Sequence, residues 1–193
     1  MDQNIPTAPI PLDDIMVGMS ASYSQTIGDF EIKQFAGLSG DHNPVHLDQE
    51  YAENSRFKKR IAHGMISVSF FSALFGTKLP GAGCVYAGQN IDFKRPVYIG
   101  DTVTATIEVK SIEKKSRIII FKTFCKVRNK LVIDGSARIY IPKPKNWKYS
   151  YQVWSILNYF FSGLKTIGVP FIKNIQMKVL TETLYLNTYQ NMA

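Results

Sequence analysis

Residues 64–75, Gly-Met-Ile-Ser-Val-Ser-Phe-Phe-Ser-Ala-Leu-Phe, are apolar on nearly every face of a helix, with only Ser67, Ser69 and Ser72 interrupting. Such a helix cannot lie on a surface with one side in water; it needs cover on more than one side. The chain after it supplies candidates for that cover, because the period changes to two. Val85, Ala87, Gln89, Ile91 and Phe93 share one strand face. Val103, Ala105, Ile107 and Val109 alternate with Thr102, Thr104, Thr106 and Glu108. Ile119, Phe121, Thr123, Cys125 and Val127 form a third face, and Leu131, Ile133, Ala137, Ile139 and Ile141 a fourth. Connections fall at Pro96 to Asp101, Glu113 to Ser116, and Asn129-Lys130, and the last two suggest antiparallel hairpins. The expectation is an α+β domain in which four meandering strands and an earlier one curl round a central helix bounded by Gly64 and Gly76.

The first third of the chain is less regular. Met16 to Ile27 holds a strand, with Ser-Tyr-Ser-Gln-Thr as its extended part. Thr26 or Asp29 can cap a short helix over Phe30 to Leu38. Gly40-Asp41-His42-Asn43-Pro44 is turn chemistry, and Asp48 to Ala52 reads as one helical turn. Arg56 to Arg60 is a short basic loop, read as solvated surface, and Leu79 to Gly83 is a second loop. No internal repeat or low-complexity tract interrupts the 193 residues.

Charge and cysteine content exclude several classes. The formal net charge is +8, from 23 Lys and Arg against 15 Asp and Glu. Residues 143–193 hold six of the lysines and one Glu, which leaves 17 and 14 for residues 1–142. That near-neutral body has no basic stripe with interleaved aromatics, which argues against nucleic acid as a partner. Its small positive surplus suits an anionic substrate such as a nucleotide thioester. Cys84 and Cys125 are too few for a disulfide scaffold or a Cys-based zinc site, and three histidines leave little scope for a histidine-rich metal centre. No metal and no cofactor is expected. No apolar run reaches the ~18 residues of a membrane span. The first 14 residues lack the apolar core of a secretory signal and the arginines of a transit peptide, so a cytoplasmic protein is expected.

The three histidines, His42, His46 and His63, fall within 22 residues, and two flank motifs with chemical content. In Ser39-Gly-Asp-His-Asn-Pro-Val-His46 a carboxylate, Asp41, and an imidazole, His46, stand five residues apart, with Pro44 fixing the backbone between them. Brought together, they could hold one water, one group accepting its proton while the other orients it. An Asx-turn with incidental histidines is the bland alternative. Gly64 opens the apolar helix, where first-turn N–H groups lack intrahelical partners and the macrodipole favours negative charge. A simple helix-start glycine is the alternative there.

These motifs stand in a wider pattern. Asp41, Asn43-Pro44 and His46 are followed by Tyr51-Ala52, His63-Gly64-Met65, Leu79-Pro80-Gly81, Gln89 to Phe93, and Pro96 to Asp101. In that order and spacing they resemble the MaoC-like dehydratases, and specifically the (R)-specific enoyl-CoA hydratases, over roughly residues 12–142. The resemblance implies a hot-dog fold, an antiparallel sheet wrapped around a long central helix. It implies a homodimer with sites near the subunit interface, acting on an acyl-CoA thioester. The implied reaction is reversible syn addition of water to a trans-2-enoyl thioester. Asp41 and His46 would be the catalytic pair, with Asn43 orienting it by hydrogen bonding. Gly64 would present its N–H to the thioester oxygen, and Ser72 aligns with a family serine facing the site. No chemistry is assigned to His63.

Residues 143–193 extend beyond the usual end of such domains, so the expected organisation is a hydratase domain over 1–142 and a basic, aromatic C-terminal extension. Trp147, Tyr149, Tyr151, Trp154, Tyr159, Phe160 and Phe161 with the lysines could form a membrane-surface helix. Packing on the chain itself or on a partner is the favoured expectation. Two other functions stay open from sequence: a hot-dog thioesterase, against which the Asn-Pro-x-His spacing argues, and a non-catalytic acyl-CoA-binding module, against which an intact Asp41 and His46 argue.

Overall fold

The computed structural model describes residues 9–143. The expectations for the aromatic and basic tail from residue 144 onward lie outside the described residues. After a short 3-10 turn at Leu12–Asp14 come β1 (Ser20–Thr26), α1 (Asp29–Ser39), α2 (Pro44–Leu47), α3 (Gln49–Asn54) and α4 (Gly64–Thr77). Four strands follow: β2 (Val85–Phe93), β3 (Thr102–Glu113), β4 (Ile118–Val127) and β5 (Lys130–Tyr140). Among the described residues no helix is long and apolar enough to cross a membrane.

The five strands form one antiparallel sheet in the order β1-β3-β4-β5-β2. This corrects the expected four-strand meander. Strands β3, β4 and β5 do follow one another, but β2 pairs with β5 at the far edge. The reason is competition for an edge. Strand β1 pairs with β3 from Ser20↔Glu108 to Thr26↔Thr102, so β3 has no free side left for β2. Outward-facing hydroxyls reinforce that pairing, with Ser22–Thr106, Ser24–Thr104 and Thr26–Thr102 contacts of 2.8 to 2.9 Å. The β4–β5 hairpin turns at Arg128-Asn129, both at positive φ (47° and 64°). That is the primed turn matching strand twist, one residue earlier than the sequence suggested.

Helix α4 touches both edges of this sheet. Phe70 meets Tyr23 of β1 edge-on at 5.3 Å between centroids. Phe75 meets Phe121 of β4 and Tyr86 of β2, each at 5.0 Å. A straight helix can reach first, middle and last strands only if the sheet curls round it, which is the expected hot-dog arrangement. Phe71, Leu74 and Phe75 are 0–1% exposed, and burying each such side chain contributes about 1.5–3 kcal/mol. The cover is incomplete: Met65, Ser69, Ser72 and Ala73 form an exposed stripe along α4.

The inner face of β2 also differs from expectation. A bulge between Tyr86 and Gly88 changes the strand's phase. Before it Tyr86 packs inward while Val85 and Ala87 are exposed; after it Gln89 and Ile91 point in. Gln89 then donates to the buried Thr123 hydroxyl at 2.9 Å.

Candidate active site

Helix α1 ends at Gly40, whose positive φ of 76° reverses the chain and whose N–H bonds to the Ala36 carbonyl at 2.9 Å. The cap at its start comes from neither expected residue: Gly28 is the N-cap, and its N–H donates to Glu31 Oε2 at 2.8 Å. Directly after the reversal Asp41 begins an Asx-turn, with Asn43 N–H donating to Asp41 Oδ1 at 3.1 Å. The Asn43 side chain then caps α2, its Oδ1 accepting from Val45 N–H at 3.3 Å. Asn43 is thus bonded on both sides of the loop, its backbone N–H to Asp41 and its side chain to the first turn of the helix that carries His46.

His46 is 9% exposed and its Nδ1 lies 2.9 Å from the Ile61 carbonyl. A carbonyl only accepts, so Nδ1 carries the hydrogen and Nε2 of the neutral ring is a lone pair. That Nε2 stands 3.9 Å from Asp41 Oδ2. The gap is too long for a direct hydrogen bond but has the right width for one water oxygen about 2.8 Å from each acceptor. Both groups accept, so such a water donates one hydrogen to each and turns its lone pairs outward. The Asx-turn and the two-acceptor site coexist; the turn is how Asp41 is aimed.

His63 completes the cluster. It is 3% exposed, stacks on His46 at 3.8 Å between centroids, and its Nε2 donates to the Asp41 backbone carbonyl at 3.0 Å. Burial pushes its pKa below the ordinary imidazole range, outweighing that hydrogen bond. One atom each of Asp41, His46 and His63 lie within 4.8 Å of one another, a spacing open to a cation. His63 Nε2 already faces the Asp41 carbonyl, however, so the trio keeps two free donor atoms, His46 Nε2 and the carboxylate, short of a closed ligand set.

A pocket of about 350 Å³ opens on this cluster. Gly64, at the start of α4, lines it beside Asp41, His46 and His63. A Cβ on Gly64 would overlap the Phe93 ring, so glycine is needed for close approach. The exposed Arg56, Lys94 and Arg95 line the same pocket. Ser72 does not. It lies about 12 Å along the helix axis from Gly64, at 1.5 Å rise per residue, and faces the exposed stripe. Within one chain the serine that lines the pocket is Ser67.

The sequence reading missed three contributors. Arg60 is not solvated surface: its side chain is 14% exposed, its Nε donates to the His46 carbonyl and its Nη2 to Asp29 Oδ1, both at 2.7 Å. Ile61 contributes only a carbonyl. Residues 94–101, which carry the chain from β2 to β3, hold that segment in place through Ala62 N–H to Val97 O at 2.8 Å and an Ile61–Tyr98 bridge. His63 contributes a tether to a backbone atom, which no side-chain motif announces.

The MaoC like domain matches residues 16–130. The chain is 48% identical over 130 residues to the (R)-specific enoyl-CoA hydratase of Rhodospirillum rubrum, covering 67% of this chain and 90% of that protein. Among solved structures, the (R)-hydratase of A. caviae involved in PHA biosynthesis is 39% identical with a TM-score of 0.65, covering 67% of this chain and 98% of that one. The unliganded R-hydratase of Pseudomonas aeruginosa is 40% identical with a TM-score of 0.66, covering 70% and 88%. With the match spanning more than half its length, and the curled sheet, central helix and Asp41–His46 loop all in place, the chain belongs to the MaoC-like domain family.

Proposed function

We propose that this chain is an (R)-specific enoyl-CoA hydratase, a hydro-lyase adding water reversibly to trans-2-enoyl-CoA to give (R)-3-hydroxyacyl-CoA. The observation that carries the site assignment is the 3.9 Å gap between Asp41 Oδ2 and His46 Nε2, facing a pocket whose neighbouring wall is Gly64. Water held there donates to both groups. As its oxygen bonds to C3, the Asp41 carboxylate takes one proton; the double-bond electrons move toward the thioester oxygen, which Gly64 N–H stabilises as it becomes enolate-like. Asp41 returns the proton to C2 from the same side, so water adds syn and the carboxylate is regenerated. Arg56, Lys94 and Arg95 supply positive charge for the anionic nucleotide end of the thioester.

The active form is a homodimer in this reading. Its support is the outer edge of β2, unpaired among the described residues, together with the exposed stripe of α4, two surfaces a second copy would cover. The hydratase activity belongs to residues 1–142.

The test is loss of enoyl absorbance with C4 to C12 trans-2-enoyl-CoA, chiral analysis of the product, and a parallel thiol assay. Turnover to the (R)-3-hydroxy product without free CoA is expected. Free CoA release without loss of the double bond would make the protein a thioesterase, and binding without turnover a carrier module.

A further inference from the structure

Two buried side-chain polar atoms among the described residues have no hydrogen-bond partner, His63 Nδ1 and Ser67 Oγ. Both residues line the pocket that holds Asp41 and His46. They stand four residues apart where α4 begins, His63 at its N-cap and Ser67 in its first turn, a spacing that puts side chains on one face. Unpartnered buried polar atoms are rare, and two sharing one face of one helix are complementary in chemistry. His63 Nε2 donates to the Asp41 carbonyl, so in the neutral ring Nδ1 is an acceptor. A serine hydroxyl is a donor that rotates to suit its neighbour.

We propose that His63 is a positioning residue for hydration: the Ser67 hydroxyl, through one bridging water, fixes its Nε2–H tautomer, and that N–H and the ring face set Asp41 and His46. The ring links both members of the catalytic pair by different atoms. Its Nε2–H tethers the Asp41 backbone, and its face supports His46 at 3.8 Å with an interplanar angle of 29°. The alternative tautomer would turn a lone pair toward the Asp41 carbonyl, replacing attraction by repulsion and releasing the residue that grips the water. Protonation at Nδ1 would instead set a cation against His46. The groups facing His63 are the Asp41 carboxylate at 4.0 Å, the His46 ring and, from α1, the uncharged Phe35 ring at 5.0 Å; His42 adds a longer-range charge when protonated. Desolvation keeps the ring neutral against the attraction of Asp41.

This inference rests on the hydratase reading of the site, and two independent measurements separate them. The first is the ¹⁵N shift pattern of the His63 ring, which reports tautomer and charge without turnover. The full-length protein is expected to show neutral His63 with hydrogen on Nε2 near neutral pH, and Ser67→Ala a tautomer mixture. A cationic ring, a hydrogen on Nδ1, or a pattern unchanged by Ser67→Ala would overturn the proposal even in an active enzyme. The second is kinetic. His63→Phe keeps a stacked ring and loses the donor; its kcat is expected to fall about 10-fold or more with KM little changed, the scale of a sub-ångström misplacement. His63→Gln, which restores an N–H, is expected to recover part of that loss. Wild-type kcat in His63→Phe, or equal loss in both variants, would overturn the positioning role. If His63→Phe does not fold, the Ser67→Ala shifts still decide.

Discussion

Arg60 and His46 are joined backward: the guanidinium Nε donates to the backbone carbonyl of His46 at 2.7 Å, not to its ring. The same guanidinium reaches Asp29 Oδ1, and Lys33 pairs with Asp29 Oδ2 at 2.6 Å. Lys33 and Arg60 together hold the Asp29 carboxyl below the usual carboxylate range. The α2 turn that carries His46 is thus pinned to α1 by an ion cluster at its rim. Arg60→Met is expected to lower kcat about 10-fold by loosening His46. Asp29→Asn, which leaves the Arg60–His46 bond in place, should cost much less. Steady-state kinetics of the two variants check this; equal losses would show that the ion pair, not the carbonyl contact, sets the geometry.

Asp41→Asn and His46→Gln are each expected to reduce hydration by at least about 10²-fold, the scale of a positioned acid–base group, without unfolding the chain. Asn keeps an acceptor for the Asn43 N–H, so the loop survives while the base is lost. Activity within a few-fold of wild type, with circular dichroism unchanged, would remove the pair from the mechanism.

Gly64→Ala separates two reasons for the glycine. Its Cβ would overlap the Phe93 ring, which is 55% exposed and would have to shift from its packed position. It would also stand beside the N–H that the proposed mechanism places against the thioester oxygen. The expected result is a lower Tm and a kcat/KM reduced about 10²-fold, as for loss of one oxyanion donor. Adding Phe93→Ala should restore Tm but not kcat/KM. Full recovery of the rate would mean the glycine serves only the packing of Phe93.

Mild acid should destabilise the fold through His63. His63 has an ordinary value of 6.5 and is pushed lower in the fold by burial. Between those two values the unfolded chain binds more protons than the native one, so stability rises with pH there. Its contribution is complete above about pH 6.5 and is lost as pH falls toward the folded value. Urea midpoints measured from neutral to mildly acidic pH are expected to fall in wild type and to stay flatter in His63→Gln. The Asp29 cluster fails only later, as pH drops through the carboxylate range.

The parts of this molecule legible from sequence are those set by local period. α4 could be read because Ile66, Val68, Phe70, Phe71, Leu74 and Phe75 give it an apolar face too wide for a surface helix. β3 could be read because Thr102, Thr104, Thr106 and Glu108 alternate with Val103, Ala105, Ile107 and Val109, and β4 because Ile119, Phe121, Cys125 and Val127 recur at every second residue apart from Thr123. The loop from Gly40 to His46 could be read because its turn residues have few other uses. What failed depends on distant partners. The position of β2 is decided by β1 reaching β3 first, and the inward turn of Tyr86 by a one-residue bulge against β5. Arg60 looked like one cation in a basic run because its acceptor is a backbone carbonyl. Ser72 and Ser67 are indistinguishable by composition; only the helical phase relative to Gly64 separates the exposed one from the pocket-lining one.

The last expectation concerns where the catalytic unit ends. Strand β5 stops at Tyr140, and Arg117 then fastens the next two residues, donating to the Ile141 carbonyl at 2.7 Å and to Pro142 at 3.0 Å, while Ile141 N–H returns a bond to Arg117. Cutting before Ile141 would strip this clamp; cutting after Pro142 keeps it. Every residue placed in the pocket lies before that point, and residues 143–193 contain no Asp or His to add to it. A chain ending at Pro142 is therefore expected to fold, to dimerise and to hydrate crotonyl-CoA with kcat within a few-fold of the full protein. Light scattering and circular dichroism establish dimer and fold, and the absorbance assay gives the rate. A folded, dimeric truncation with kcat lowered about 100-fold, equivalent to about 2.7 kcal/mol of lost transition-state stabilisation, would make the extension part of the active site.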